Sequence, residues 1–219
     1  MKKNLTEMIF ILDRSGSMCG LESDTIGGFN SMISKQKDED GDAIVTTVLF
    51  DDKMRIIHDR FDIHDVAPMT EKDYYVGGCT ALLDAVGKSI NKTVNVQRHL
   101  PEDKRADKVI FVIITDGYEN ASREYTYDKI KKMIDHEQEK YGWEFMFLGA
   151  NIDAVSEGAR FGIREDRAVR YKSDAAGTAL NFAVVAEAVS DIRCAIGSGK
   201  RMDGSWKDRI EEDVKKRGE

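Results

Sequence analysis

Proline and cysteine are scarce in this chain. Two prolines in 219 residues leave no room for a proline-rich linker or stalk. Three cysteines, Cys19, Cys79 and Cys194, are too few for a disulfide framework and too far apart for a paired-cysteine zinc site. Positive charge is the minority charge: 33 Lys and Arg stand against 40 Asp and Glu, a formal net charge of −7 with a pI near 5.3. Such a surface is not made to neutralise phosphates, so nucleic acid is not an expected partner. No run approaches the roughly 20 apolar residues of a membrane span. The opening MKKNLTEMIFIL is interrupted by Glu7 and stopped by Asp13, which is too short for a signal-peptide apolar region. The four histidines, His58, His64, His99 and His136, are scattered without metal-ligand spacing. These absences place the expected location in the reducing cytoplasm, with no membrane partner.

What is present belongs to a folded domain. A hydrophobic content of 41% and a charged content of 33% suit one domain with a substantial core and a well-wetted surface. Short apolar runs alternate with helical patterns, the order expected of an α/β domain with a mostly parallel sheet. Strands are expected at 7–13, 43–51, 54–61, 108–116, 144–150 and 167–171. VIFVIIT within 108–116 is apolar on both faces, as a central parallel strand requires. MRIIHDRF at 54–61 is mixed in character and follows the preceding strand after a short link, which predicts an antiparallel edge hairpin.

Helices are expected from four stretches. The first carries Ile26, Phe29, Met32 and Ile33, the second Leu82, Leu83, Val86 and Ile90, the third Ile130, Met133 and Ile134 before Gly142. The fourth, from Asp174 to Gly197, is the most apolar. Residues 1–198 read as one domain and 199–219 as a charged tail. In that tail Trp206, Ile210 and Val214 recur every four residues, so a short amphipathic helix docking on the domain is expected. GSGK at 197–200 is not a phosphate loop, since Cys194 stands where its first glycine should be and Arg201 replaces Ser or Thr.

The chemistry concentrates at strand ends. In an open parallel sheet, ligands bind beyond the carboxyl ends of the strands, where strand order reverses. ILD ends at Asp13 and IITD at Asp116, on strands expected to be adjacent and central. Two acids that close need a proton or a cation between them. In DRSGS the alternation of Asp13, Ser15 and Ser17 throws all three oxygen-bearing side chains to one side, although the same residues also build ordinary turns. Thr80 follows the pair Gly77–Gly78 and Cys79. Its hydroxyl suits either an N-cap or a metal, bound directly or through water. Arg14, Met18, Tyr118 and Glu119 are candidates for a rim around the site, and Cys19 and Cys79 read as small buried fillers beside the two loops.

Asp-x-Ser-x-Ser after the first strand, a lone Thr after a glycine pair, and TDG after a central strand, in that order, resemble the von Willebrand factor type A (vWA) domain and its metal-ion-dependent adhesion site (MIDAS). The resemblance spans residues from about 5 to about 195. It implies a doubly wound, mostly parallel six-stranded sheet with one antiparallel edge strand and helices on both faces, a Rossmann-like architecture. It also implies that Asp13, Ser15, Ser17, Thr80 and Asp116 hold the metal.

Hard oxygen donors suit Mg2+, with Mn2+ or Ca2+ as alternatives, over zinc or copper. Few of these donors carry charge, so the ion would stay electron-poor. It would accept a partner protein's Asp or Glu in place of a water. The expected function is therefore metal-dependent protein binding without catalysis. A magnesium-dependent hydrolase or phosphoryl-transfer enzyme built on the strand-end carboxylates is the alternative. A purely structural domain whose acids cap turns is a third.

Overall fold

The computed structural model describes residues 4–196 and 202–218. Six strands, β1 (Thr6–Asp13), β2 (Ala43–Phe50), β3 (Met54–Asp62), β4 (Lys108–Thr115), β5 (Glu144–Ala150) and β6 (Ala168–Tyr171), form one sheet in the order β3-β2-β1-β4-β5-β6. All neighbours pair in parallel except β2 and β3, whose antiparallel hairpin makes the expected edge. Strand order reverses at β1, which lies between β2 and β4. This is the doubly wound α/β class, and every strand falls close to its expected place.

Alternation along β1 sends Met8, Phe10 and Leu12 into one core and Ile9 and Ile11 into the other, as period-two geometry dictates. The first core is closed by α1 (Glu22–Lys37) and α5 (Ala175–Cys194), the second by α2 (Leu82–His99), α3 (Tyr127–Tyr141) and α4 (Ala154–Arg160). Buried Phe29, Met32 and Ile33 of α1 meet Phe182, Val185 and Val189 of α5 in the same cluster. A Cβ at Gly28 would lie 2.3 Å from the Phe182 ring, so the glycine lowers helix propensity in α1 but permits this close approach. Gly142 ends α3 in the left-handed conformation, φ 64°, where a side chain would be strained.

The sequence pattern missed α4, which is only seven residues long and too short to show a period. Against the expectation that no run approaches a membrane span, α5 among the described residues has the length and hydropathy that would suit a bilayer. Here that apolar surface is taken up by the sheet, α1 and the helix that follows.

That helix, α6 (Asp208–Arg217), buries Ile210 in the first core. The turn before it is pinned to the start of β6. Trp206 Nε1 donates to Asp166 O at 2.8 Å, Lys207 Nζ to Glu165 O at 2.9 Å and Ala168 O at 3.1 Å, and Arg167 donates to Met202 O at 2.8 Å. GSGK at 197–200 and the boundary at 198 lie outside the described residues.

Candidate metal centre

The carboxyl ends of β1 and β4 meet at the point where strand order reverses. Asp13 is 1% exposed and anchored by three donors. Ser15 N donates to Oδ1 at 2.7 Å, while Thr115 Oγ1 at 2.6 Å and Asp116 N at 3.2 Å donate to Oδ2. A carboxylate has about four lone-pair positions, so this one is oriented with capacity to spare. Tyr74, buried below, donates its hydroxyl to Asp13 O at 2.5 Å. Burial pushes that phenol above its ordinary value, so it stays a neutral donor.

Ser15 and Ser17 lie on the same side, their hydroxyl oxygens 3.0 Å apart. The loop that carries them is paired with the loop before Thr80: Gly77 N donates to Arg14 O at 2.9 Å and Gly16 N to Gly78 O at 3.2 Å. This pairing brings two segments more than 60 residues apart in sequence into one surface.

Thr80 is not the N-cap of α2. Ala81 holds that position, and it offers no side-chain cap. The open amides of α2 are served from another loop: Leu83 N donates to Glu119 Oε2 at 2.8 Å and Asp84 N to Ser122 Oγ at 3.0 Å. Thr80 is held through its main chain, its N–H to Asn120 Oδ1 at 2.9 Å and its C=O to Asn120 N at 3.0 Å. Its hydroxyl has no hydrogen-bond partner among the described residues. A Cβ at Gly117 would stand 3.4 Å from Ser17 Oγ and 3.8 Å from Thr80 Oγ1. Hydroxyls from two remote segments thus converge on one face of a residue without a side chain, directly after Asp116.

Asp116 is 1% exposed. Asn151 Nδ2 donates to its Oδ1 at 2.5 Å and Ser173 Oγ to its Oδ2 at 2.5 Å. Burial raises its pKa; the Ser173 and Asn151 hydrogen bonds oppose the rise, and the Asp13 charge adds to it. The carboxylate is therefore underneutralised, and a nearby cation would relieve it. Two carboxylates with three neutral hydroxyls are a hard, oxygen-only donor set, and the residues present fit a small divalent cation.

Structure departs from sequence around the rim. Arg14 and Met18 are buried, 5% and 1% exposed. Arg14 pairs with Asp51 at 2.7 Å and lies 4.6 Å from the Tyr75 ring centroid, so it braces the loop from below. Glu119 spends its carboxylate on Leu83 N, Ala121 N, Ser122 N and Ser122 Oγ and is a brace too. Tyr118 is 51% exposed, and its hydroxyl accepts from Asp153 N at 3.2 Å. Cys19 and Cys79 are exposed and not buried fillers. Sequence reasoning passed over Tyr74, Asn120, Asn151 and Ser173. Asn151 and Ser173 carried a signal, since Asn151 follows directly on β5 and Ser173 lies two residues beyond the end of β6.

An open sheet in this order, with acids at the carboxyl ends of its first and fourth strands and helices on both faces, is the vWA fold. Solved structures that share it include proximal thread matrix protein 1 from the mussel byssus with a zinc-occupied MIDAS motif, 14% identical over 87% of this chain with a TM-score of 0.56. Manganese-loaded TRAP of Plasmodium vivax is 15% identical over 83% of this chain and 74% of its own, with a TM-score of 0.57. A von Willebrand factor type A protein from Catenulispora acidiphila is 13% identical over 86% of this chain and 43% of its own, with a TM-score of 0.56. The present chain spans about half of the mussel protein's chain, 47%. No protein-family model and no curated protein matches it, so the likeness is one of fold.

Proposed function

We propose that the chain is a metal-dependent protein-binding module in which Asp13, Ser15, Ser17, Thr80 and Asp116 hold a divalent cation, Mg2+ in the first instance, and a partner's Asp or Glu completes its shell. The observation that carries this reading is the Thr80 hydroxyl. It is released from capping by Glu119 and Ser122 and converges with Ser17 on the bare face of Gly117. A turn-building role for these residues gives no reason for a second loop to take over the capping of α2.

When bound, the cation supplies a Lewis-acidic point that attracts an incoming carboxylate. The chain's own residues do the rest. Asp13 is held by three donors, Asp116 by Asn151 and Ser173, and the two serines by the paired loops, so the donors are set before a ligand arrives. A solved vWA structure with a zinc-occupied MIDAS motif and a manganese-loaded one support a divalent-ion reading. None of the described residues hydrogen-bonded to the side chains of Asp13, Ser15, Ser17 or Asp116 is a histidine, lysine or cysteine, which favours binding over acid–base catalysis. A cytoplasmic setting accords with three free, exposed cysteines.

Calorimetric titration with MgCl2 tests the site: wild type is expected to bind one ion, and Thr80→Val to bind it at least ten-fold more weakly. Peptides carrying a single Asp are then expected to bind only with Mg2+ and to lose binding when that Asp becomes Asn. Equal ion affinity in wild type and Thr80→Val, or peptide binding undisturbed by chelator, would reject the reading.

A further inference from the structure

The second core face carries a feature unrelated to the metal centre. Two adjoining cavities lie along the seam between α2 and α3. One of about 460 Å3 is lined by Ile90, Val94, Arg98, Lys129, Lys132 and Met133 among others, and one of about 130 Å3 includes Val94, Arg98, Arg105 and Trp143. They share Val94, Arg98 and Glu137 and form one trough. Ile90 to Arg98 on α2 spans about 12 Å, two helical turns.

The trough sets the apolar side chains of Ile90, Val94, Met133 and Trp143 among Asn91, Asn95 and Gln97, and its walls are cationic. Arg98, Arg105, Lys129 and Lys132 are exposed, and none has an ion-pair partner among the described residues. Arg105 reaches only the carbonyls of Leu100 and Arg98, and Lys129 lies 4.0 Å from the Tyr125 ring centroid. His136 adds a further nitrogen at the wall. The one acid lining either cavity is Glu137, buried at 4% exposure. In a chain of net charge −7, four exposed cations without an ion-pair partner among the described residues line one groove that holds a single, buried acid, and that excess of positive charge marks a place for negative charge.

We propose that the α2–α3 trough is a docking site for an acidic amphipathic helix of a partner protein, its apolar face on Val94 and Met133 and its carboxylates against Arg98, Arg105 and Lys132. A third helix laid into the groove between two others is a recurrent recognition mode. Polyanions such as RNA have no apolar face to match these apolar side chains and are repelled by the rest of the surface. A lipid bilayer is too flat to reach a groove between helices.

The test uses the full chain and a displayed library of 18-residue helical peptides, selected on wild type. The expected consensus has leucine-like residues at helical spacing flanked by Asp and Glu. A recovered peptide is expected to lose at least ten-fold in affinity on Arg98→Glu/Lys132→Glu, to shift amide signals of α2 and α3, and to bind Asp116→Ala unchanged. Both double-variant positions are exposed, and circular dichroism checks that the variant folds. No enrichment, a consensus without acids, insensitivity to the charge reversal, or tighter binding of poly(U) RNA or phosphatidylglycerol vesicles would overturn the proposal.

Discussion

The two acids of the proposed metal centre are expected to differ in what they do for the fold, and the difference can be measured without a ligand. Asp13→Ala removes the acceptor for Ser15 N and Asp116 N, both buried. Thr115 keeps a second acceptor in Gly117 O at 3.2 Å. Two orphaned amides at roughly 1–3 kcal/mol each give a loss of roughly 2–6 kcal/mol, a large share of the 5–15 kcal/mol that is typical of a domain, by order of magnitude. Asp116→Ala removes the acceptor for Ser173 Oγ and Asn151 Nδ2, but Asn151 is exposed and Ser173 half-buried, so both can turn to water. It also removes a carboxylate whose ionisation the fold disfavours. The expected change in chelator is within about 1 kcal/mol.

Urea denaturation followed by circular dichroism reads both values from the midpoints. With Mg2+ at about 100 times its Kd, wild type is expected to gain about 2.7 kcal/mol, and both variants to lose that gain. The pH dependence separates them further. A raised pKa in the folded state means that the fold binds more protons than the unfolded chain as pH rises from the ordinary value of 3.8. Stability in chelator therefore falls through that window and up to the raised pKa, and Asp116→Ala is expected to remove this component. Equal destabilisation by the two variants would refute the assignment of Asp13 as framework and Asp116 as strained ligand.

Three further outcomes follow from the supporting structure. His58 is buried between the Phe29 ring, 6.3 Å between centroids, and Thr47 Oγ1 at 3.0 Å; burial lowers its pKa, with Asp73 opposing and Lys37 assisting. The unfolded chain then takes up its proton first as pH falls below about 6.5, so stability is expected to drop there, and His58→Phe to flatten that part of the urea-midpoint profile; an unchanged profile would remove the residue from consideration. Gly87→Ala would place a Cβ 2.2 Å from the Tyr125 ring, and despite the better helix former it is expected to destabilise by about 1–3 kcal/mol, readable as a lower thermal midpoint. Glu119→Gln turns an amide donor toward the amides it now accepts from and is expected to cost about 1–3 kcal/mol while weakening Mg2+ affinity through the Thr80 loop, which titration of the folded variant would detect.

How much of this was legible in the sequence depended on whether a feature was periodic or local. The strands were readable because each fully buried strand, such as KVIFVIIT, must be apolar on both faces, and the edge hairpin because β3 breaks that pattern with Arg55, His58 and Asp59. Asp13, Ser15 and Ser17 were readable as a group, but not for the reason of extended-chain alternation: β1 ends at Asp13 and Gly16–Met18 make a 3-10 turn, which brings the Ser17 hydroxyl to that of Ser15. The roles of Arg14, Met18 and Glu119 were not, since an arginine after an aspartate looks the same whether it faces solvent or pairs with Asp51 beneath a loop. Thr80 shows where the limit lies. From sequence its hydroxyl, taken alone, suits a cap and, taken with the other loops, a metal; the arrival of Glu119 and Ser122, some 40 residues later, at the start of α2 shows which amides no longer need it. The capping demand of a helix is fixed by its backbone, but which residue answers it is a tertiary choice. By answering it from elsewhere, the fold leaves a hydroxyl at the strand ends with no hydrogen-bond partner among the described residues.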